Sequence, residues 1–511
     1  VLAGLPVMRL QVWMLVRLDL LPDGFTSAWR TWVIGASVGA GVLISVCGVA
    51  AASGRAGRVR PLAALREAGG DARLMTVSRW LLGAVFLAGG MALLVLVPNV
   101  GPDAAIAMAL SSCMVLVVAV AAFTPLLMPA ASLLPRLFAF GPLGQLAQAN
   151  LRTDIRRGAA TAAPVIILFA FVVGMAGSLS TLGAASRHET ARGLHGDLVV
   201  TANGGTADHG LTARLAAMDG VAVVSEETPV AFDLGSIEDG KLSYESTDGL
   251  SVSPAAYART HQLDLRAGSL ADLRGNTVAV LGSHFDVGDV LRARIAGTPT
   301  NLRVVAKLPT TISGPAFLLP AGLGVGPADP RRYTIQVTPG AAPAAVADRL
   351  RAAGLEQGGK VDTAAGWVAH EASDQQRVNT DVMVGLLALA MVYTVVAMVN
   401  AVVVAASSRK AEFATARLSG LTRPQVIRMA LWEATATVGV GLFLGGLTAS
   451  ATIFSLVGAV QHIIGLTVVS VPWSLIAAVA LGSLAVVGVT SVLTTLAATR
   501  TPPIRLAGTR E

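Results

Sequence analysis

Val165-Ile166-Ile167-Leu168-Phe169-Ala170-Phe171-Val172-Val173-Gly174-Met175-Ala176 lies at the centre of a stretch, 158–186, that holds no Asp, Glu, Lys or Arg. About 20 apolar helical residues cross the ~30 Å hydrocarbon core of a bilayer, whereas a helix in a soluble core keeps a charged face. The stretch therefore reads as a membrane span. Five further runs lack all four charged residues: 31–54, 80–102, 104–135, 382–408 and 434–499. The last is long enough for two helices, with Gln461, His462 and Pro472 marking the turn between them. The expected fold is a polytopic α-helical membrane protein with about seven transmembrane helices. Composition agrees. Of 511 residues, 53% are hydrophobic and 14% charged, with mean hydropathy +0.66, where a soluble domain has roughly 25% charged residues.

Orientation follows from the loops, because Lys and Arg concentrate on the cytoplasmic side of a membrane protein. The segments 55–79, 136–157 and 409–433 and the tail from Arg500 together hold 18 basic and 6 acidic residues in a chain of net charge +7. All four fall on one side of an alternating path, which is therefore the cytoplasm. The basic balance thus reflects membrane orientation and not nucleic-acid binding.

The segment 187–378 has a different pattern, with 17 basic and 21 acidic residues and no cysteine. Short β-branched runs at Leu198–Thr201, Val221–Val224, Val278–Leu281, Val290–Ile295, Leu302–Val305 and Tyr333–Val337 predict strands. Helices are predicted at 210–218 and 342–353, where Ala342, Val346 and Leu350 recur at helical spacing. This is an α+β extracytoplasmic domain. The whole chain divides into 1–79 with span 31–54, two bridging spans in 80–135, an entry segment and span in 136–186, the domain 187–378, and a final membrane unit 379–511.

Two stretches repeat. Gly24-Phe25-Thr26 precedes Trp32 by the interval that separates Gly465-Leu466-Thr467 from Trp473. An apolar span follows each tryptophan and ends in a basic exit, Arg58-Val59-Arg60-Pro61-Leu62 in one and Arg500-Thr501-Pro502-Pro503-Ile504 in the other. A duplication is expected, of which the earlier copy retains only its last part. Gly35 with Gly39, and Gly441 with Gly445, have the spacing that lets helices approach closely, as at a subunit interface.

The segment 407–433 carries the most functional information. A span ends near Ala406, a helix reaches Leu418, and Gly420 suits a helix-ending position with positive φ. Thr422 can cap the next helix, and Pro424 is tolerated in its first turn. A helix–turn–helix elbow at the cytoplasmic surface is predicted, with Phe413, Ala416 and Leu418 as an exposed apolar ridge.

This elbow resembles the coupling segment of FtsX-like permeases, the family of MacB-like ABC transporter permeases. The resemblance lies in Arg409-Lys410-Ala411-Glu412, Leu418-Ser419-Gly420-Leu421-Thr422, Gln425-Val426 and Glu433, with Leu421 standing where the family has a small residue. The stretch 146–164 is similar to the family's entry to the span before the external domain, and the exits at Arg58–Leu65 and Arg500–Leu506 to its closing tail. The two bridging helices are typical of ten-span members, so the N-terminal part is expected to be missing.

The resemblance implies a permease subunit in the bacterial cytoplasmic (inner) membrane, working by mechanotransmission. A separate cytoplasmic ABC ATPase, acting as a dimer, would bind ATP and Mg²⁺, while this chain would need no cofactor. Coupling residues would be Arg409, Glu412, Phe413, Arg417, Leu418, Gly420, Arg423, Pro424 and Gln425. Secondary contacts would be Arg58, Pro61, Leu65, Arg500 and Pro503. The cargo would be a lipid, lipoprotein, peptide or hydrophobic compound, met in membrane lipid or handed over by an extracytoplasmic binding protein. The alternative is an ATPase-linked signalling scaffold that senses a ligand or controls a cell-wall enzyme.

Catalytic readings fail on the residues. Gly235–Leu242 and Gly354–Val361 fit G-x-x-x-x-G-K, but a phosphate loop needs Ser or Thr where Leu242 and Val361 stand. The seven histidines all fall on the external side and form neither H-x-H nor H-E-x-x-H, so no metal site is expected.

Overall fold

Long helices meet a single sheet in this chain. The computed structural model describes residues 76–97, 100, 102–131, 155–202, 210–238, 241–282, 285–312, 314–325, 331–353, 359–407 and 409–500, with isolated positions elsewhere. Helices α1 (Val77–Leu96), α2 (Pro102–Ala131) and α3 (Ile155–Gly193) lead into the external domain. There β1 (Leu198–Ala202), α4 (Leu211–Ala216), β2 (Val221–Glu238), β3 (Lys241–Val252), α5 (Pro254–Thr260) and β4 (Ala267–Gly268) follow one another. Strands β5 (Thr277–Leu281), β6 (Val290–Ile295), β7 (Thr298–Leu308), β8 (Phe317–Pro320) and β9 (Arg331–Val337) come next, then α6 (Pro343–Ala352) and β10 (Gly359–Thr363). The chain returns through α7 (Ala364–Ser407), α8 (Lys410–Leu418), α9 (Arg423–Ile464) and α10 (Trp473–Arg500).

Among the described residues, five helices are long and apolar enough to cross a membrane, and a sixth is counted if 391–407 is joined to 412–418 across a 52° bend. The expected spans 80–98 and 105–134 fall in α1 and α2, 158–186 in α3, and the two halves of 434–499 in α9 and α10. The span 382–408 is better placed in the C-terminal part of α7 alone, because α8 carries Lys410, Glu412 and Arg417. Of span 31–54 only eleven scattered positions are described, all of them helical.

Lipid is as apolar as leucine, so membrane helices associate through close packing. Gly83 and Gly90 of α1 are buried against Phe123 and Leu116 of α2, and the Trp80 ring meets Phe123 edge-on at 5.6 Å. Gly441 and Gly445 do the same between α9 and α3. A Cβ on Gly441 would lie 2.8 Å from Val165, and one on Gly445 would lie 3.1 Å from the Ile166 carbonyl oxygen. The expectation of a subunit interface is thus corrected for this pair, whose close approach is to the chain's own α3. Val165, Phe169 and Val172 of α3 then pack with Val402 of α7, Val438 of α9 and Val487 of α10 in one core.

The external domain is α+β. Its strands run in the order β10-β1-β9-β2-β3-β8-β5-β7-β4, with β6 joining β7 and touching β2. All six predicted strands form, and β2 extends its predicted start to 18 residues, of which Glu227–Glu238 pair with the 12-residue β3 as a ribbon. Strands β3, β4, β8 and β10 were not expected. The first phosphate-loop-like string is the tip of that ribbon, where Glu238 pairs with Lys241, so no helix follows it to hold a phosphate. The second enters strand β10.

The joint between membrane and domain is short. Helix α3 is 39 residues long and α7 is 44, roughly 58 and 66 Å at 1.5 Å per residue, so both overshoot the hydrocarbon core. Strand β1 starts five residues after α3, β10 runs straight into α7, and the two strands pair antiparallel with Leu198 opposite Thr363. Asp197 pins the joint. Its carbonyl accepts from Ala364 N (2.9 Å), and its carboxylate accepts from Val337 N (2.8 Å).

Replacing Gly445 by Leu should force α9 off α3 and lower stability by about 1–3 kcal/mol. Gly439→Leu, at a position whose Cβ meets nothing within 4 Å, should be neutral. Thermal unfolding of both variants in detergent is the measurement, and equal melting temperatures would refute the packing assignment.

Candidate functional site

Four charges converge where the uncharged runs begin and end. Arg157 precedes the run 158–186, Arg409 follows 382–408, and Glu433 precedes 434–499. Each therefore sits at the same face of the membrane, and Glu412 on α8 comes within reach of them. Arg409 Nε donates to Glu412 Oε2 at 2.8 Å, and its Nη1 lies 2.7 Å from Glu433 Oε2. Arg157 donates from Nη1 to Glu412 Oε1 at 3.3 Å and from Nη2 to Glu433 Oε1 at 3.5 Å. The result is a closed ring of two cations and two anions. Arg409 and Glu433 are nearly buried, with side chains 7% and 11% exposed, whereas Glu412 is 49% exposed. The Glu433 Oε2 contact is a charge contact only, since that oxygen accepts no aligned hydrogen bond among the described residues.

Below the ring the chain folds back on itself. Helix α8 ends at Leu418, and Gly420 turns the backbone at φ +101°, a conformation that favours glycine. Thr422 and Gln425 form a capping box at the start of α9, with Pro424 in the first turn. Phe413 is buried against Val426, Met429 and Ala430. The predicted exposed ridge is therefore corrected: Phe413 faces inward and clamps α8 to α9, while Leu418 alone is fully outward, 60% exposed. The Arg409 guanidinium stacks 5.0 Å over the Phe413 ring. Arg417 Nη1 donates to the carbonyl of Thr499, which ties the elbow to the last turn of α10.

The predicted coupling residues therefore divide into two groups. Arg409, Glu412, Phe413 and Arg417 hold the elbow onto the membrane helices. Leu418, Gly420, Arg423, Pro424 and Gln425 form its exposed tip. Arg58, Pro61, Leu65 and Pro503 lie outside the described residues, and Arg500 is the last residue of α10. Arg157 and Glu433 were absent from the predicted site. Their signal in the sequence was position, as the charges that flank uncharged runs.

Electrostatics follow the geometry. Burial works against the Arg409 cation, yet Glu433 and Glu412 together hold its pKa above the ordinary arginine value. Partial burial likewise opposes the Glu412 carboxylate, but the Arg409 hydrogen bond and charge, joined by Arg157, outweigh it and depress its pKa.

Residues 384–503, which contain most of this site, match the family described as FtsX-like permease C-terminal. This part of the chain is thus similar to the C-terminal domain of FtsX-like permeases. The match supports a multi-pass permease component of an ABC-type transporter. Two solved structures are also similar in part. A domain of a permease protein from Porphyromonas gingivalis is 21% identical, covers 33% of this chain and 83% of that one, and has a TM-score of 0.25. The extracellular domain of the ABC-type transporter YknZ from Gram-positive bacteria is 13% identical, covers 31% of this chain and 89% of that one, and has a TM-score of 0.22. No curated protein matches the chain. Among the described residues, no three His, Cys, Asp or Glu side chains converge as metal ligands.

The depressed Glu412 pKa sets the pH dependence of the elbow. A carboxylate more acidic in the folded than in the unfolded protein contributes stability that is present above the unfolded pKa and lost as pH falls through the folded one. Wild type should therefore be more thermostable than Glu412→Gln at pH 7. The difference should shrink below about pH 4, where the carboxylate takes up its proton. A difference that is constant with pH would exclude the ring as its origin.

Proposed function

We propose that this chain is the permease subunit of an ABC transporter of the mechanotransmission type, MacB-like in architecture. Seven spans lie in the bacterial inner membrane, and 187–378 lies outside it. A dimer of a separate cytoplasmic ATPase docks on the exposed tip of the elbow, around Leu418, Gly420, Arg423, Pro424 and Gln425, with the basic exits at Arg58–Leu65 and Arg500–Pro503 as further contacts. The observation that carries this reading is the four-charge ring. It binds the elbow to the cytoplasmic ends of α3 and α9, so a push on the tip reaches α3 directly.

From there the path is stiff. Helices α3 and α7 continue past the membrane to the paired strands β1 and β10. A displacement of either helix must move or shear the sheet, because backbone hydrogen bonds and the Asp197 pin leave no slack linker between them. The work would serve export or extraction of a lipid, lipoprotein, peptide or hydrophobic compound. Between 158 and 186, and again between 434 and 499, the spans hold no charge that would line a path for ions, which favours work done outside the membrane over conduction through it.

The test is ATP hydrolysis by the partner ATPase, co-purified with the full chain. Gly420→Pro imposes φ near −65° where the turn needs a positive value, and Glu412→Arg places a third cation against Arg157 and Arg409. Each should reduce stimulation of the ATPase by about tenfold or more, an energy of ~1.4 kcal/mol, while membrane insertion stays normal. Stimulation that survives both changes would refute the docking assignment.

A further inference from the structure

A cavity of about 750 Å³ lies between the external domain and the outer ends of the membrane helices. It is in the size range of ligand sites, and its walls come from the segments that the proposed motion would displace. Helix α3 contributes residues between Leu179 and Gly193, the start of α7 contributes Trp367 and Glu371, and the end of α9 with the loop after it contributes Ile463, Ile464 and Leu466. The domain closes it with the segments after α5 and β7.

The lining is layered. Leu179, Leu182, Ile463 and Ile464 belong to the uncharged runs 158–186 and 434–499, so they mark the rim of the hydrocarbon, and all four are only half-buried. Immediately beyond them on α3 stand Arg187 and Arg192, both exposed to the cavity and neither in an ion pair among the described residues. The acidic groups on the walls are differently placed. Glu189 accepts the backbone N–H of Ile312 at 2.8 Å, and Glu371 sits in the field of Arg332, which is itself bound to Glu227. Asp264 also lines the cavity. The unneutralised cations thus lie directly outside an apolar floor, the same order as head group and chain in the outer leaflet of a membrane.

We propose that this cavity binds an anionic amphiphile, with its phosphate or carboxylate on Arg187 and Arg192 and the first part of its chain against Leu179, Leu182, Ile463 and Ile464. Charge-assisted hydrogen bonds from two guanidinium groups recognise an oxyanion strongly, and burial of each methylene adds about 0.8 kcal/mol. The remainder of a long chain stays in the bilayer. This deepens the transport reading by naming its cargo class, and only the role as cargo rests on that reading. Binding does not.

The experiment therefore omits the ATPase. The full chain in nanodiscs of phosphatidylcholine is titrated with lysophosphatidylglycerol carrying a dansyl group on its chain, followed by energy transfer from tryptophan. Arg187→Gln with Arg192→Gln should weaken binding by about tenfold without affecting the fold, since both side chains are exposed. Leu182→Trp, which fills the apolar end, should weaken it comparably with the arginines intact. Glycerol phosphate should fail to displace the probe, and lysophosphatidylcholine should displace it only at about tenfold higher concentration. Displacement by glycerol phosphate at the amphiphile's own concentration would overturn the apolar half of the site and leave a plain anion site. Equal displacement by lysophosphatidylcholine would overturn the charge assignment, and unchanged affinity in both variants would overturn the proposal.

Discussion

Two arginines and two glutamates at one face of the membrane hold the first turn of α3 to the elbow and to α9, across sequence separations of 255 and 276 residues. Hydrocarbon accepts no unpaired charge, so the residues flanking each uncharged run are forced to one interface and there can neutralise one another. Desolvating such groups costs energy that the pairs only partly return, so the ring is weak as a source of stability. Its value is directional. An apolar contact between α8 and the membrane helices would allow the elbow to slide or rotate, whereas four alternating charges fix one register. The apolar clamp beneath, Phe413 on Val426 and Met429, supplies adhesion without that specificity.

The other end of the same helices meets a different constraint. A strand inside a sheet cannot shift by one residue without turning its buried face to solvent. Strands β1 and β10 are joined closely to α3 and α7, and Leu198, Val200 and Val361 are core residues of the domain. Movement of the helices therefore cannot be absorbed by slippage at the joint and must be carried by the domain as a body or by bending of the sheet. A second set of buried charges stiffens this region. Glu227 is fully buried and bound by Arg332 and Thr334, while Arg332 also lies 4.8 Å over the Trp367 ring at the start of α7. His261, 3.6 Å from Glu227 and stacked on Tyr257, has its pKa lowered by burial despite that neighbour. Helix α7 is thus tied to the sheet by charge, ring stacking and backbone at once.

Much of this was legible in the sequence because the bilayer imposes a coarse and strict code. Absence of charge located α1, α2, α3, α9 and α10, and the elbow followed from Gly420, Thr422 and Pro424, each of which has one role that its chemistry favours at that position. Side-chain direction was less accessible. Phe413 lies beside charged residues in sequence and was read as exposed, yet the fold-back of α8 onto α9 turns it inward, a tertiary fact with no local signal. Strand β10 was hidden by Gly358-Gly359-Lys360, which reads as a loop, and β3 by its polar run Ser243 to Asp248. As a ribbon strand, β3 needs a partner more than a hydrophobic pattern. Arg157 was overlooked for the opposite reason: in a basic entry segment one arginine resembles the next, and only its adjacency to an uncharged run distinguishes it.

The placement of the cavity follows from the same geometry. Helices that continue past the membrane before meeting a sheet leave a space beneath that sheet, walled by the overshooting turns and floored by the rim of the hydrocarbon. Such a space is half wet and half apolar by construction, and it changes shape whenever the helices shift. A ligand bound there is in contact with the moving parts and with the leaflet at once. A site deep inside the domain core would be shielded from both, and a site on the domain's outer surface would feel neither. In the proposed mechanism, coupling between a cytoplasmic ATPase and an external load is strongest where the load touches the helices themselves, and Arg187 and Arg192 stand on one of them.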